Sequence, residues 1–363
     1  MTGKRRFKMA SIPGDGIGGE VVAEGIRVLE AAGRRFGIDF DWVEFDWSCE
    51  FYRRHGRMMP ENGTEQLRQF DAIYLGAVGF PGVPDHVSLW GLLIPIRRCF
   101  DQYVNLRPAR LLAGVASPLS GKKAGEIDLV IVRENSEGEY SEVGGREYVG
   151  TDRERVVQES IFTRRGCDRV IRYAFELARR RRGHVTSATK SNGIIHSMPY
   201  WDERFKRIAA DYPDVTADQY HIDILAAHFV RAPERFDVVV ASNLFGDILS
   251  DLSASVVGSI GLAPSGNINP ERSAPSMFEA VHGSAPDIAG RGLANPIAQI
   301  WSGAMMLEHL GETAAASAIE RAIEHVLAHG GPRTPDLGGT SQTGEVTDAI
   351  ISSIYAPKSS PAQ

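Results

Sequence analysis

The sequence predicts an α/β protein of two domains built around a mostly parallel central sheet. Apolar, β-branched segments alternate with segments of helical spacing through the first third of the chain, an order that is typical of parallel sheets. At 363 residues the chain is also long for a single hydrophobic core, so two domains are expected. A third observation is a largely apolar, β-branched strand pattern at 237–241, which leads directly into an acidic helical segment.

The elements follow in order from these patterns. Alternating or continuous apolar runs predict strands at 7–12, 40–45, 72–77, 127–133, 184–188 and 237–241. Helical spacing of apolar residues predicts helices at 20–36, 49–55, 61–69, 167–182, 244–252, 297–310 and 313–328. The segment 259–267 is rich in Gly and Pro, and 279–296 contains too much glycine for a helix.

Composition excludes several classes of protein. The formal net charge of −6 argues against a general nucleic-acid binder. The three cysteines lie far apart, which is typical of a reducing cytoplasm and predicts neither a disulfide framework nor a zinc site. The basic start lacks the apolar region of a signal peptide, and no apolar run approaches the ~18 residues of a membrane span. We therefore expect a cytoplasmic protein.

A glycine-rich segment follows the first predicted strand. It reads Gly14-x-Gly16-x-x-Gly19, which formally matches the dinucleotide-binding fingerprint between a strand and a helix. The alternative is that the glycines form a tight turn for other reasons, with Asp15 as a turn or capping residue. The pattern alone leaves both interpretations open.

Two carboxylates follow the 237–241 strand. Asp247 and Asp251 are four residues apart, so a helix places both on one face. A solvated acidic helix face is the ordinary interpretation of such a pair. However, ligand sites in open α/β sheets lie at the carboxyl ends of strands, and like charges stacked on one face invite a cation. Ligands that are all oxygen suit a hard ion such as Mg²⁺ or Mn²⁺.

Cationic and phenolic side chains stand at comparable places. Arg97 and Arg107 are either surface ion-pair partners or a two-armed clamp for a carboxylate, which guanidinium geometry favours. Arg133 and Tyr140 come at and just beyond the end of the 127–133 strand. Lys190 is either a surface charge or a buried amine whose pKa is lowered by nearby cations.

Several motifs in series resemble one family along essentially the whole chain. They are PGDGIG at 13–18, HGSAPD at 282–287 and NP at 295–296. In this order they resemble the metal-dependent β-decarboxylating dehydrogenases of 2-hydroxy acids, the isocitrate and isopropylmalate dehydrogenase family. A narrower resemblance, to the branch that acts on D-malate and tartrate, is carried by DHVSLWGLL, RRCFDQYVNLRP, TKSNGIIHSMPYWDERF and DQYHIDIL.

The resemblance implies a two-domain fold that is not a Rossmann domain. The large cofactor-binding domain would comprise 1–102 plus 258–363, with an inserted domain at 103–257 that carries the dimer interface. The first glycine loop would border the nicotinamide, and the adenosine would lie on the 282–295 loop. Each active site of a homodimer would borrow the partner subunit's Lys190 and the partner subunit's Asp223.

The family's mechanism also transfers to particular residues. The resemblance implies substrate-carboxylate binding by Arg97, Arg107 and Arg133, and Mg²⁺ or Mn²⁺ binding by Asp247, Asp251 and Asp223. It implies that Lys190 is the general base for hydroxyl deprotonation and that Tyr140 protonates the enolate after CO₂ loss. It places NAD against His282, Gly283, Ser284, Ala285, Asp287, Asn295 and Asn192.

Cofactor and substrate choice rest on two of these segments. The Asp287 carboxylate can accept both ribose hydroxyls and would repel a 2′-phosphate, which favours NAD over NADP. In the segment 88–94, Trp90 shrinks the pocket and Ser88 is the only small hydroxyl, which suits D-malate or tartrate. The spacing to Arg97 is one residue longer than in the relatives that act on isocitrate or isopropylmalate.

Alternatives from inside and outside the family remain at this point. Inside the family, the chain could be a 3-isopropylmalate or NAD-isocitrate type of dehydrogenase. Outside it stand a metal-free Rossmann enzyme that uses the glycine motif, and a magnesium phosphotransferase or nucleotide-binding module that uses only the acidic pair. The sequence leaves open the choice between Mg²⁺ and Mn²⁺ and any requirement for a monovalent cation such as K⁺.

Overall fold

The computed structural model describes residues 5–356, and its centre is one ten-stranded sheet. The strands in chain order are β1 Arg5–Gly14, β2 Ile38–Glu44, β3 Ala72–Ala77, β4 Val104–Arg110, β5 Asp128–Glu134, β6 Gly144–Glu147, β7 Arg155–Gln158, β8 His184–Thr189, β9 Thr216–His221, β10 Val238–Ala241, β11 Pro264–Ile268 and β12 Ser276–Ala280. Strands β6 and β7 form a separate antiparallel hairpin.

Helices cover the sheet and connect its strands. They are α1 Gly18–Phe36, α2 Cys49–His55, α3 Gly63–Leu67, α4 Asp85–Ser88, α5 Ile94–Cys99, α6 Arg164–Arg179, α7 Ser197–Ala209, α8 Ile222–Arg231, α9 Asn243–Val256, α10 Ile297–His309, α11 Thr313–Ala328 and α12 Thr343–Tyr355. Within residues 5–356, none of these helices combines the length and the apolar character that a bilayer crossing requires.

The sheet has the order β2-β1-β3-β12-β11-β4-β5-β10-β8-β9. Its pairs are parallel except around β11 and β4, where β11 runs antiparallel to both β12 and β4, and β4 runs antiparallel to β5. The prediction of an α/β fold with a mostly parallel sheet is therefore confirmed. One half of the sheet comes from 5–77 and 264–280, and the other half from 104–241. The domain boundaries at 102/103 and 257/258 stay a prediction.

The structure contains a strand at 264–268, where the sequence patterns predicted none. This Gly/Pro-rich segment contains the central strand β11, in which every residue is buried. Pro264 stands at the first strand position, where its missing N–H is tolerated. The buried polar side chains Ser265 and Asn267 both accept hydrogen bonds from the Asn105 amide, at 2.8 and 3.0 Å. Hydropathy alone missed this strand because its polar groups are satisfied by another strand.

Several further strands and helices have sequences that do not show the apolar patterns used for prediction. The strands β4, β6, β7, β9 and β12 and the helices α4, α5, α7, α8 and α12 were not predicted. Helix α7 shows why. It buries Asp202 and Arg204 together with Trp201 and Phe205, so the buried face of the helix does not appear in the sequence as an apolar stripe.

The first glycine loop is a tightly packed turn. A Cβ on Gly14 would lie 2.0 Å from the Ala77 carbonyl oxygen, and one on Gly16 would lie 2.0 Å from that of Ser284. At Gly19, the third glycine of the fingerprint, nothing lies within 4 Å. The Asp15 carboxylate accepts hydrogen bonds from two backbone N–H groups, one of them at the first residue of α2. The packing and the Asp15 hydrogen bonds fit the turn-and-cap interpretation of this segment.

Candidate active site

The centre of the site is the junction between the end of β5 and the start of α9. Arg133 is only 2% exposed and donates to the Asn243 side-chain oxygen from Nε at 3.0 Å and from Nη2 at 2.8 Å. Its Nη1 donates to Asp247 Oδ1. Gly246 permits this approach, because a Cβ there would lie 2.6 Å from Arg133 Cβ. Burial lowers the pKa of Arg133 to about 10, so the guanidinium is charged at neutral pH.

Asp247 is the common partner of three predicted site residues. Besides Arg133, it accepts a hydrogen bond from Tyr140 Oη at 2.9 Å and lies 3.2 Å from Arg107 Nη1. Burial acts to raise the pKa of Asp247, but the charges of Arg133 and Arg107 outweigh it and hold that pKa below its usual value. Burial, followed by the charge of Asp247, raises the pKa of the Tyr140 phenol.

Asp251 has a different environment on the same helix face. Its nearest cation is Arg107 Nη1 at 3.8 Å, and its side chain is 60% exposed. Burial raises the pKa of Asp251, opposed by Arg107 and helped by the charge of Asp247. The pair therefore presents one carboxylate held by arginines and one that is open to an incoming cation.

The acidic pair fits a hard divalent cation in the chemistry of its oxygen donors. It does not form a complete site by itself. Within residues 5–356, the structure contains no group of three or more His, Cys, Asp or Glu side chains that could hold a metal ion. The third predicted ligand, Asp223, lies in the first turn of α8 and is not part of this cluster.

Lys190 and Asp223 form a second, separate pair. Lys190 Nζ lies 2.9 Å from Asp223 Oδ1, and the Asp223 side chain is 67% exposed. The hydrogen bond from Lys190 lowers the pKa of Asp223. In the single chain, Lys190 is thus paired with an anion, and it is not placed among the cations of the Arg133 cluster. The prediction that Lys190 lies among cations is therefore not fulfilled within one subunit.

Arg97 and Arg107 are both buried, at 6% and 8% exposure. Arg107 also donates to Ser250 Oγ at 2.6 Å, and Arg97 pairs with Glu279 at 2.9 Å. The Nε atom of each arginine is buried without a hydrogen-bond partner among the described residues. Unpaired buried N–H groups are costly, and both guanidinium groups bring positive charge to the surroundings of Asp247. The interpretation as surface ion pairs is not supported.

The predicted pocket segment forms one continuous helix with an unusual turn. Leu89–Leu93 is a π-helical turn between α4 and α5, the conformation by which a helix takes up one extra residue. Trp90 is half-buried under the Arg98 guanidinium, 5.0 Å from the ring centre. Ser88 is buried and donates to the Asp85 carbonyl oxygen at 3.0 Å.

The predicted adenosine loop packs directly on the glycine turn. The Ser284 carbonyl oxygen accepts a hydrogen bond from Ile17 N at 2.8 Å, and Ala285 adopts a positive φ of 38°. His282 Nδ1 lies 3.0 Å from the neighbouring Gly283 carbonyl oxygen, while its Nε2 is buried without a partner among the described residues. Burial lowers the pKa of His282. The neutral, unpartnered nitrogen fits an uncharged polar ligand such as a nucleobase.

The other predicted cofactor residues differ in accessibility. Asp287 and Asn192 are exposed, so both side chains can reach a bound molecule. Asn295 is buried and already engaged: it donates to Asp336 Oδ2 and accepts from Ile297 N, both at 3.0 Å. The structure therefore gives Asn295 a role in starting α10.

Sequence reasoning missed four side chains that shape this site. Asn243 orients Arg133, Ser250 binds Arg107, Glu279 binds Arg97, and Glu139 contacts the start of α9. Only Asn243 had a usable signal, since it follows a buried strand at its carboxyl end. The other three become visible only when distant segments meet.

The fold and the cluster of Arg133, Asp247 and Tyr140 define a class of protein, and comparison with known proteins identifies it. Residues 8–350 match the family model described as isocitrate/isopropylmalate dehydrogenase. The chain belongs to this family. A nicotinamide cofactor and a divalent metal ion are part of the family's chemistry in general.

Among its relatives, the chain is 60% identical to "D-malate dehydrogenase [decarboxylating]" of Escherichia coli (strain K12), over 96% of this chain and 99% of that protein. It is 59% identical to "Tartrate dehydrogenase/decarboxylase" of Pseudomonas putida, over 96% and 98% of the two chains. Isocitrate dehydrogenase from Methylococcus capsulatus superposes with a TM-score of 0.87 at 36% identity, covering 96% of this chain and all of that one. The narrower resemblance to the D-malate and tartrate branch is thus confirmed.

Proposed function

We propose that this chain oxidises a small 2-hydroxy diacid at C2 with NAD⁺ and releases its β-carboxylate as CO₂. D-malate would give pyruvate, CO₂ and NADH, and tartrate would be the second substrate. The observation that carries the proposal is the Tyr140–Asp247–Arg133 cluster with Arg107 beside it. It combines a proton donor, a carboxylate for a cation and anion-binding groups in one place.

Substrate binding is assigned to the arginines. The positive charges of Arg97 and Arg107 near Asp247 support binding of one carboxylate, and the bidentate geometry of guanidinium suits it. Arg133 lies fixed between Asn243 and Asp247 and supplies positive charge for the second carboxylate. A substrate with two carboxylates matches this excess of cationic groups.

Proton transfers are assigned to the lysine and the tyrosine. The partner subunit's Lys190 would take the proton of the C2 hydroxyl as hydride leaves C2. When bound, the divalent cation supplies positive charge at the C2 oxygen, and the nicotinamide accepts the hydride. After CO₂ has left, Tyr140 would give its phenolic proton to C3, which completes pyruvate. Its raised pKa suits a donor that must stay protonated until that step.

Selectivity among hydroxy diacids is assigned to the π-helical turn. Trp90, held by Arg98, fills space that a large substituent at C3 would need. The hydrogen of D-malate or the hydroxyl of tartrate fits beside it. An isopropyl group or a third carboxylate would meet the ring, a mismatch that typically costs about 1–3 kcal/mol of selectivity.

A homodimer with shared sites would complete the metal site. Within residues 5–356 the acidic pair has no third ligand, while Asp223, the residue that Lys190 contacts, is exposed. Next to Asp223 and Asp247 in the sequence, the apolar side chains of Ile224 on α8 and Ile248 on α9 are exposed. Such surfaces favour burial by a second subunit.

The remaining assignments follow the same evidence. Mg²⁺ or Mn²⁺ is proposed because the donors are carboxylates, and NAD because Asp287 is exposed at the cofactor loop. The assay includes arms with and without a monovalent cation such as K⁺. The three free cysteines support a reducing cytoplasm.

One panel assay tests the proposal. NADH formation is followed with D-malate, L-tartrate, meso-tartrate, isocitrate and 3-isopropylmalate, each with Mg²⁺ or Mn²⁺ and with or without K⁺. We expect the largest kcat/KM with D-malate or a tartrate, and loss of activity in EDTA. Activity that survives chelation would contradict the metal assignment. A preference for isopropylmalate or isocitrate would contradict the substrate assignment.

A further inference from the structure

The loop that carries Tyr140 is bonded to the start of α9 by a carboxylate with no assigned role. Glu139 Oε2 accepts a hydrogen bond from Leu244 N at 3.0 Å, and its Oε1 accepts one from Ser242 Oγ at 2.7 Å. Leu244 is the second residue of α9, whose N–H group a capping side chain normally binds. Ser242, the N-cap residue, makes no side-chain capping bond of its own. Glu139 therefore caps α9 from a distant segment.

Helix α9 is also the helix that carries Asp247. Two hydrogen bonds thus join the same two segments side by side: Leu244 N donates to Glu139, and Tyr140 Oη donates to Asp247. The two loop residues are adjacent in sequence, and the two helix residues are one turn apart. A carboxylate at a helix N-terminus is further favoured by the helix dipole.

We propose that Glu139 is a positioning residue that sets the register between the Tyr140 loop and α9. Through this cap it places the Tyr140 hydroxyl against Asp247 and above the reacting carbon. The inference rests on the role proposed for Tyr140 in the preceding section. Without the cap, the loop and the helix are joined near the phenol chiefly through Tyr140 itself and the Asn243–Glu137 bond.

Nearby contacts explain why the cap is needed. Gly138, immediately before Glu139, has a positive φ of 82° and exchanges backbone hydrogen bonds with Ile161. This holds one side of the loop. On the other side, Arg98 Nη2 donates to the Tyr140 carbonyl oxygen at 2.7 Å. Neither contact reaches α9, so they fix the loop without fixing its distance from Asp247.

The test compares Glu139→Ala and Glu139→Gln with the matched control Ser117→Ala. Ser117 Oγ donates to the Val256 carbonyl oxygen at 2.6 Å, at the opposite end of α9. Removing it loosens the same helix away from the site. Proton transfer by Tyr140 is read alone, in the reverse direction, as exchange of the pyruvate methyl protons in D₂O with the metal present. The Tyr140 phenolate, populated at alkaline pH, takes a methyl proton, exchanges it with solvent and returns a deuteron to C3. Proton NMR follows the loss of the methyl signal.

We expect Glu139→Ala to slow this exchange by about 10- to 100-fold, the usual effect of misplacing a catalytic group by roughly 1 Å. The KM for D-malate should change little, because Arg97 and Arg107 are not held by the cap. Glu139→Gln keeps one carbonyl oxygen as an acceptor and should recover part of the rate. Ser117→Ala should lower Tm while leaving the exchange rate unchanged.

The outcomes separate this inference from the proposed function. An active wild-type protein whose Glu139→Ala variant exchanges pyruvate protons at the wild-type rate would overturn the positioning role alone. Equal losses in Glu139→Ala and Ser117→Ala would overturn it too, since a general loosening of α9 would then explain both. A wild-type protein inactive with every acid, and toward pyruvate, would overturn the proposed function and this inference together.

Discussion

Tyr140 donates its phenolic hydroxyl to Asp247 Oδ2 across 2.9 Å. The proposed proton donor and a proposed metal ligand are therefore one hydrogen-bonded unit, which Arg133 completes from the other carboxylate oxygen. Asp251, one turn further along α9, contacts neither Tyr140 nor Arg133 through any hydrogen bond or ion pair found among the described residues. The two acidic residues should respond differently to substitution.

Asp251→Asn should weaken Mn²⁺ binding by at least about 10-fold with little effect on Tm, because it removes one ligand charge from a hard-ion site. Asp247→Asn should weaken binding similarly and also destabilise the fold by about 1–3 kcal/mol, since the buried Arg133 loses its counter-ion. Calorimetric titration with Mn²⁺ and thermal unfolding measure the two effects. Glu61→Gln, which removes a surface carboxylate paired with Arg57, is the control. Wild-type Mn²⁺ affinity in both variants would contradict the assignment of Asp247 and Asp251 as metal ligands.

Asp287→Lys should erode the preference for NAD over NADP. The substitution removes the carboxylate proposed to accept the ribose hydroxyls and adds a charge that favours a 2′-phosphate. The ratio of kcat/KM for the two cofactors measures it, with Asp287→Asn as the variant that removes charge alone. If the ratio is the same in all three proteins, Asp287 does not read the ribose.

Lys190→Met and Tyr140→Phe should fail at different steps. Without Lys190, nothing in the proposed set takes the hydroxyl proton, so NADH formation from D-malate should be lost. Tyr140→Phe removes only the phenolic proton, and protonation at C3 should slow by roughly 10²–10⁴-fold. Decarboxylation of oxaloacetate bypasses hydride transfer and provides the comparison. Lys190→Met should keep part of that reaction. Equal loss of both reactions in both variants would refute the division of roles.

The same two variants test whether sites are shared between subunits. Asp223 and Lys190 form a pair of their own in one chain, and we propose that a working site takes both from the second subunit. Mixed dimers of Lys190→Met and Tyr140→Phe chains should recover one active site with both functional groups. Each variant mixed with itself is the control. Verified heterodimers that stay inactive would argue for sites built within one chain.

Gly16→Ala should damage the fold, whereas Gly19→Ala should be tolerated. Gly16 has a φ of 55°, and a Cβ there would lie 2.0 Å from the Ser284 carbonyl oxygen. Gly19 lies in α1 with nothing within 4 Å, so alanine there should stabilise by about 0.5–1 kcal/mol. Tm and the KM for NAD⁺ measure both effects. A selective rise of the NAD⁺ KM in Gly19→Ala would revive the pyrophosphate-binding interpretation.

His184 and Asp218 should make stability depend on pH. His184 Nε2 lies 3.2 Å from Asp218 Oδ2, and this bond raises the pKa of His184 above 6.5. Burial acts to raise the pKa of Asp218, but the same bond helps to hold that pKa below 3.8. The His184 contribution is complete below its unfolded pKa of 6.5 and is lost as pH rises through the folded value. The Asp218 contribution is lost as pH falls through its own lowered pKa.

The pair should therefore stabilise the protein most between the lowered pKa of Asp218 and the raised pKa of His184. At about pH 5.5 the difference in unfolding free energy between wild type and His184→Gln should be about 0.5–1 kcal/mol larger than at about pH 8.5. Urea unfolding at the two pH values measures it. Asp218→Asn should show the same loss, because it removes the other member. A difference that does not change with pH would show that His184 is not charged in the folded state.

Much of this protein follows from local pattern. The strands β3 and β5 and the helices α2 and α11 occur within about one residue of their predicted positions, because apolar periodicity over 5–16 residues reports directly on which face is buried. The four-residue spacing of Asp247 and Asp251 determines that they share a helix face, whatever surrounds them. A series of motifs in fixed order was enough to place the chain in its family.

Other features depend on contacts between residues far apart in sequence. Periodicity cannot show that Arg97 is bound by Glu279, 182 positions away, or that Glu139 caps a helix that begins 104 residues later. Nor can it show that β11, with buried polar side chains, lies in the middle of the sheet. Buried polar and charged groups need hydrogen-bond partners, and only chain folding brings those partners near. For the same reason, the separation of Asp223 from the acidic pair is a property of the folded subunit: a residue's type sets what it can bind, and the packing of distant segments sets what it does bind.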